Sequence, residues 1–355
     1  MSEWRYIAQR ATTGEFLDME LPLARDDLSW TLSGPGSLRG RVAPDVGSLR
    51  GPDGRLLLEE WGTLLYAEAD GVIRWGGILV SSSFSGSAWT IEAAGFTTYP
   101  HGIPYGGRYT RTGLDPADAV RHLWSHVQGY PDGNLGVTVT GSTPARLGTA
   151  EEPYELAWFD SPDCGKEIDD LAKETPFDYV EEHRWSGEEI RHEVKIGAPR
   201  LGRRRTDLAF IQGDNVVSLV SPDRDGGLYA NEVVGIGAGE GAGSLRRTDA
   251  VRDGRLRRPF VYTAKDVRSA DRLDSLIRRE RLRRSDLLEI SSVDVREHPN
   301  APIASWSLGD DVRIDASLPW LGDVSLWCRI TGWTLRSDHT ATLQLARSDS
   351  FTYGG

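Results

Sequence analysis

The residues best spaced for chemistry are two histidines four apart, His122 and His126, in the run HLWSH. On a helix, positions i and i+4 share a face, and two imidazoles there can hold a divalent metal. The Glu that turns such a pair into the hydrolytic HExxH motif is missing, and no third ligand can be specified. Both are expected as exposed surface histidines on the side opposite the apolar stripe. Carboxylates occur as adjacent pairs, Glu151-Glu152, Asp169-Asp170 and Glu181-Glu182. Sequence neighbours diverge on a strand or a helix, so these are poor candidates for the facing acid and base of a glycosidase. Cys164 and Cys328 fall on apolar faces in unlike contexts. They are expected to pack as small hydrophobes rather than act as nucleophiles or pair as a disulfide. There is no G-x-S-x-G elbow.

The glycines of GIGAGEGAG (Gly235, Gly237, Gly239, Gly241) superficially suggest a phosphate loop. A dinucleotide fingerprint needs glycine at i, i+2 and i+5 between a strand and a helix. Here position i+5 is Glu240 or Ala242, and the following 244–258 has no apolar helical stripe. No Lys-Ser or Lys-Thr pair follows, which excludes a P-loop. Strands with a glycine tip are the expectation instead. No catalytic, cofactor-binding or metal-binding residue is therefore assigned, and no cofactor is expected.

The elements around these residues read as mainly β. FLDMELPL places Leu17, Met19, Leu21 and Leu23 on one face at period two, and Leu28, Trp30 and Leu32 repeat the spacing. Asp70-Gly71, between the runs 61–69 and 72–80, is a strong hairpin signal. Ser85-Gly86-Ser87 leads into another run at 89–94. Residues 100–113 read as an irregular loop. The character then changes to α+β. Asp115 caps a helix with Pro116 at its first position, Gly129 closes it, and Val120, Leu123, Trp124 and Val127 form its buried stripe. A second helix is predicted from Ser161-Pro162 to Pro176, then a hairpin of 177–185 and 190–196 through Ser186-Gly187.

Beyond Pro199, extended runs are predicted at 207–211, 216–220 and 232–236, with turns at 213–215 and at Asp225-Gly226-Gly227. An Arg-rich helix is expected over 266–284, a salt-bridged face that could also meet nucleic acid or an acidic partner. The chain then returns to β, with runs at 287–296, near Val312 and Ile314, over 324–335 and over 340–346.

The whole chain has 355 residues and a formal charge of −12, which argues against wholesale binding to a nucleic-acid backbone. Its 39% apolar and 26% charged residues fit a soluble globular protein. No run approaches a membrane span, and the amino terminus lacks a signal-peptide layout, so synthesis and retention in a cytosol are expected. Twelve tryptophans and forty glycines suit β structure with broad contact surfaces.

Several stretches resemble a family of minor tail proteins from phages of actinobacteria. They are SGPGSLRG (33–40), EEWGTLLYAE (59–68), GFTTYPHGIPYGG (95–107), LDPADAVRHLWSHVQ (114–128), TPFDYVEEHRW (175–185), PRLGRRRTDLAFIQGDN (199–215), the GAGEG run and HPNAP (298–302). The order of elements also resembles tail hub proteins of phages and contractile injection machines. That resemblance implies a mainly β fold with tube-type antiparallel β-barrel domains and an inserted α+β module. Residues 1–113 would form the first barrel, 114–198 the module, 199–262 strands completing the first barrel, and 263–355 the Arg-rich helix with the second barrel. It further implies a non-enzymatic homotrimer, the hub at the tip of a long non-contractile tail, located in the virion and assembled in the host cytoplasm. The expected partners are a distal tail protein, the tape measure protein and downstream tip or receptor-binding proteins, with phage DNA passing through the lumen. No stable membrane insertion is implied. Because the chain stops soon after its last strands, no terminal hydrolase or receptor-binding extension is expected. The alternatives are a tail-associated cell-wall hydrolase using the histidine pair, and a glycan-binding adsorption protein using tryptophan platforms.

Overall fold

A computed structural model describes residues 4–348 apart from Ser87, Pro176, 221–222, Asp225, Leu228, Asp266, 286–287, Pro319 and Leu321. Sequence expectations resting on Ser87, Pro176, Asp225, Asp266 and 287 lie outside the described residues. The first seven strands are β1 (Trp4–Arg10), β2 (Phe16–Asp18), β3 (Ala24–Thr31), β4 (Ser37–Val42), β5 (Thr63–Ala69), β6 (Val72–Ser85) and β7 (Ala88–Gly95). They pair antiparallel in the order β3-β4-β7-β6-β5-β1-β2. The β5–β6 hairpin turns where the sequence predicts, with Asp70 and Gly71 both at positive φ (52° and 77°). That is the left-handed pair a tight hairpin of this twist requires. FLDMELPL stays a strand only to Asp18. Leu21 N then donates to the Tyr6 carbonyl (2.9 Å), which carries the chain back beside β1 and curls the sheet towards its own start. Leu21 and Leu23 are buried, and Met19 is exposed. Inside the curl lie Leu28, Leu38, Leu65, Ala67, Leu79, Ile91 and Ala93.

The next segment is a distinct layer. It holds β8 (Arg108–Arg111), α1 (Pro116–Gln128), β9 (Val137–Thr140), β10 (Tyr154–Ala157), α2 (Cys164–Glu174), β11 (Asp178–Ser186) and β12 (Glu189–Gly197). α1 starts as its sequence requires, with the Asp115 carboxylate accepting from Ala117 N (2.9 Å). α2 begins later than Ser161-Pro162, because Asp163 is the cap and accepts from Lys166 N (2.9 Å). β8 emerges from the expected loop by pairing with β10, and β9 joins the β11–β12 hairpin in parallel. Leu123, Trp124, Val127, Ile168, Leu171 and Val194 pack against Ile7, Leu64, Tyr66 and Ile78 on the outer face of the first sheet. β5 is consequently buried at all seven positions, with alternate residues serving two cores.

After Pro199 come β13 (Arg204–Ile211) and the two-residue β14 (Asp223–Arg224). Next are β15 (Glu232–Ile236), β16 (Arg246–Ala250), β17 (Pro259–Thr263) and α3 (Ala270–Ser285). The last strands are β18 (Leu288–Glu289), β19 (Ser292–Arg296), β20 (Asp311–Leu318), β21 (Gly322–Ser337) and β22 (Thr340–Arg347). The segment 199–262, expected to complete the first ring of strands, does not join it. β13 pairs with β20 instead, while β15, β16 and β17 form a separate sheet under α3. Gly235 has a packing reason: a Cβ there would sit 2.6 Å from Ile277 Cγ2, so only glycine lets α3 settle on the sheet.

The second ring of strands, β13-β20-β21-β22-β19, belongs with the first to one continuous twelve-stranded sheet. The 216–220 run is not a strand of its own. Val217 N donates to Asp294 O and Arg296 N to Asn215 O (both 2.9 Å), so this stretch lies along the free side of β19. β21 joins the two rings. Its first half pairs with β20, its second half with β3, and Cys328–Ser337 pairs with β22. At that junction Trp333 stacks on Trp30 with centroids 3.9 Å apart and planes 8° from parallel, and meets Trp306 edge-on at 5.6 Å.

Trp333 is buried, and its removal would leave a cavity between both rings. Trp333→Ala is expected to cost about 3–5 kcal/mol in denaturant unfolding, as one cooperative loss for the whole β framework. Loss of only one of two separate transitions would show that the rings fold independently.

Candidate functional site

His122 and His126 do share one side of α1, but they are not exposed. Both are half-buried and clamp the tyrosine-rich loop before β8. His122 Nε2 lies 2.8 Å from Tyr105 Oη, and its ring stacks on Tyr109 at 3.8 Å. His126 Nε2 accepts from Gly106 N at 3.0 Å, with Tyr130 Oη at 3.4 Å. Burial holds both imidazoles below their ordinary pKa, His122 further through its neighbour His126. The correction to the sequence expectation has a simple cause. The loop at 100–113 folds over this side of α1, so the polar face is covered rather than solvated. Among the described residues no three His, Cys, Asp or Glu side chains gather as a metal site.

The carboxylate pairs split as adjacency requires. Asp169 accepts from Tyr179 Oη (2.9 Å), while Asp170 pairs with Lys166 (2.7 Å). Glu181 accepts from Phe96 N and Thr97 N (3.0 and 2.6 Å), and Glu182 pairs with Lys195 (3.2 Å). Glu151 and Glu152 are exposed. Cys164 and Cys328 are both buried, and burial pushes Cys164 up to about 11, which keeps it protonated at neutral pH. The glycines of the GAGEG run turn the chain between β15 and β16, with Gly239 and Gly241 at positive φ.

Two features gain their meaning only from the fold. The first is a polar seam between the module and the first sheet. Tyr66 Oη donates to Gln9 Oε1 (2.8 Å) and lies 3.3 Å from His192 Nε2, and His192 Nδ1 lies 3.1 Å from His183 Nδ1. The rings of Tyr66 and Phe96 stack on His192 at 5.7 and 4.5 Å. Burial, with His183 adding to it, lowers His192 to about 3, so it is neutral and serves as a hydrogen-bonding wedge. Its signal was present: His192 alternates with Ile190, Val194 and Ile196, on the face that must be buried.

The second is a cleft of about 1030 Å³ where the rings meet the β11–β12 hairpin, lined among others by Trp4, Trp30, Trp306 and Trp333. Several of its charged groups are held in ion pairs. Arg205 holds Asp207 (2.7 Å) and Asp310 (3.1 Å), Asp338 holds Arg25 (2.7 Å), and Lys195 holds Glu182. The Trp30 and Trp333 faces are spent on each other. What the cleft presents most clearly is aromatic surface from Trp4, Trp30, Trp306 and Trp333.

No protein-family model matches the chain, and no curated protein sequence matches it. Solved structures do. A 43 kDa tail protein of prophage MuSo2 from Shewanella oneidensis aligns over 98% of this chain and 99% of its own, at TM-score 0.59 and 15% identity. Prophage tail protein gp18 from Listeria monocytogenes aligns over 97% and 95%, at TM-score 0.59 and 13% identity. A Francisella PdpA-VgrG complex aligns over all of this chain and 59% of the matched chain, at TM-score 0.52 and 10% identity. The mainly antiparallel β fold with its inserted module is thus one shared with phage tail proteins.

The His192 seam sets a pH dependence. Between about pH 6.5 and about 3 the unfolded histidine takes up a proton that the folded one refuses, so unfolding is favoured by acid. Its contribution is complete above pH 6.5 and is lost progressively on the way down. In urea titrations His192→Phe is expected to flatten that part of the stability profile, since Tyr66 keeps Gln9 as a partner. An unchanged slope between pH 6.5 and 4 would contradict the assignment.

Proposed function

We propose that this chain is a structural virion protein, a minor tail protein that forms a homotrimeric hub at the tip of a long non-contractile phage tail. The observation that carries the reading is end-to-end similarity of fold to two prophage tail proteins, over 95% or more of every chain compared. Such likeness leaves little room for an added catalytic domain in the aligned region. Two linked rings of strands with a module on the outside are suited to stacking on a tube, because each ring offers faces and short edges for neighbours to cover. Three copies of a two-ring chain would present six ring units, the number that continues a six-fold tube.

In this role the chain joins the distal tail protein and tape measure on one side to tip or receptor-binding proteins on the other. Its place is the virion tail tip, after assembly in the host cytoplasm, with DNA passing through the lumen. It works by assembly and gating. A cell-wall hydrolase built on His122 and His126 is less well supported, since both rings are committed to Tyr105, Tyr109 and Gly106. Glycan adsorption through tryptophan platforms finds no support in the cleft, where Trp30 and Trp333 cover each other, and would have to use scattered exposed indoles such as Trp61 and Trp158.

Quantitative mass spectrometry of purified virions, with isotope-labelled peptides of this chain, is expected to return three copies per particle. A count near the many tens of a tube subunit, or no copies in the virion, would refute the hub reading.

A further inference from the structure

The chain's charge is divided unevenly between its two projecting parts. The subdomain at 229–285, built from β15, β16, β17 and α3, has fourteen Arg and Lys against eight Asp and Glu, a net charge of +6. The α+β module at 114–198 has seven against eighteen, a net charge of −11. One end of the basic subdomain concentrates the effect. Ala230 N donates to the Arg284 carbonyl and Asn231 N to that of Arg258 (both 3.2 Å), so the last turn of α3 lies beside the loop 251–258. Arg252 and Arg258 are exposed in that loop and form no salt bridge among the described residues, while Arg278 and Arg279 are exposed further up α3. Between them stand apolar side chains open to solvent, Leu256 at 87% exposure and Leu282 at 54%.

The module carries a matching ridge, EEPYELAWFD at 151–160. Glu151, Glu152 and Asp160 are exposed and have no cation partner among the described residues. Trp158 and Phe159 project next to Asp160, at the other end of β10 from Glu151 and Glu152; they are 62% and 59% exposed and packed edge to face at 5.8 Å. Both patches stay uncovered within one chain, so they do not satisfy each other there.

We propose that the basic end of the 229–285 subdomain docks onto the 151–160 ridge of a second copy of this chain. The proposal rests on the reading of the protein as a ring of copies and says which surfaces meet within it. Arginine suits this contact because its guanidinium both forks onto carboxylates and stacks on indole and phenyl faces. A nucleic-acid backbone would answer the arginines but would leave Leu256 and Leu282 in water. An acidic ridge crowned by two aromatics answers both.

The test is self-association of the full chain by sedimentation equilibrium, at low and high salt. R252E/R258E, and separately E151R/E152R, are each expected to weaken association by about tenfold or more, as facing like charges do. The four-fold variant carrying both reversals restores opposite charges across the contact and is expected to return to near the wild-type constant. Leu256→Ser, which changes no charge, is also expected to weaken it. A wild-type chain that assembles equally well with either reversal overturns the proposal and leaves the ring reading standing. A wild type that stays monomeric at every concentration removes both. A basic end that binds duplex DNA, with R252E/R258E abolishing that binding and the double reversal failing to regain self-association, assigns the patch to nucleic acid and also overturns the proposal.

Discussion

The structure depends on one strand serving two sheets. β21 is sixteen residues long, and its first half closes the second ring through β20 while its second half pairs with β3 of the first. The handover falls at Gly332, where a Cβ would stand 3.1 Å from the Trp30 carbonyl and 3.0 Å from Gln344 Oε1. A side chain there would crowd the Trp30 backbone, which would have to give by a few tenths of an ångström at the point where the two sets of strands meet. Beside it, buried Arg329 donates to the carbonyls of Gly309 (3.2 Å) and Leu201 (3.0 Å) and pairs with Asp178 of the module hairpin. Strand, linker and module are thus tied at one place. A buried guanidinium is tolerated there because its donors are answered, and losing one partner would leave a charge stranded.

The module is held just as firmly, but by a different means. Its helices and hairpin cover the outer face of β1, β5 and β6, so that β5 is buried on both sides. The polar groups caught in this seam meet one another, through Gln9, Tyr66, His192 and His183. The same logic disposes of the histidine pair on α1. Both places use imidazole as a shape-filling hydrogen-bond partner, which is a packing role.

Local signals were legible and long-range pairings were not. Asp70-Gly71, the Asp115-Pro116 cap and the Ser186-Gly187 hairpin carry their geometry in two or three residues, and each element formed as read. β8 was hidden in a Gly- and Tyr-rich loop because it exists only through β10, more than forty residues on. The placement of β13 was missed for the same reason: a parallel partner a hundred residues away leaves no local mark. Gly235 was visible as part of a glycine run, but its purpose appears only once Ile277 lies above it. The cleft lined by Trp30, Trp306 and Trp333 draws on three distant segments, so no spacing could have announced it.

A framework whose charged and aromatic groups are mostly used to fasten its own layers has its remaining chemistry on its outer surfaces. The central claim is that these surfaces exist to be covered by copies and neighbours along a tube. The most direct measurement is a reconstruction of the assembled tail that resolves individual strands. The account predicts this chain at the tip, its two rings coaxial with the tube and its projecting parts buried against adjacent subunits. Rings lying off the tube axis, with 151–160 and 251–258 both facing solvent in the finished particle, would contradict it.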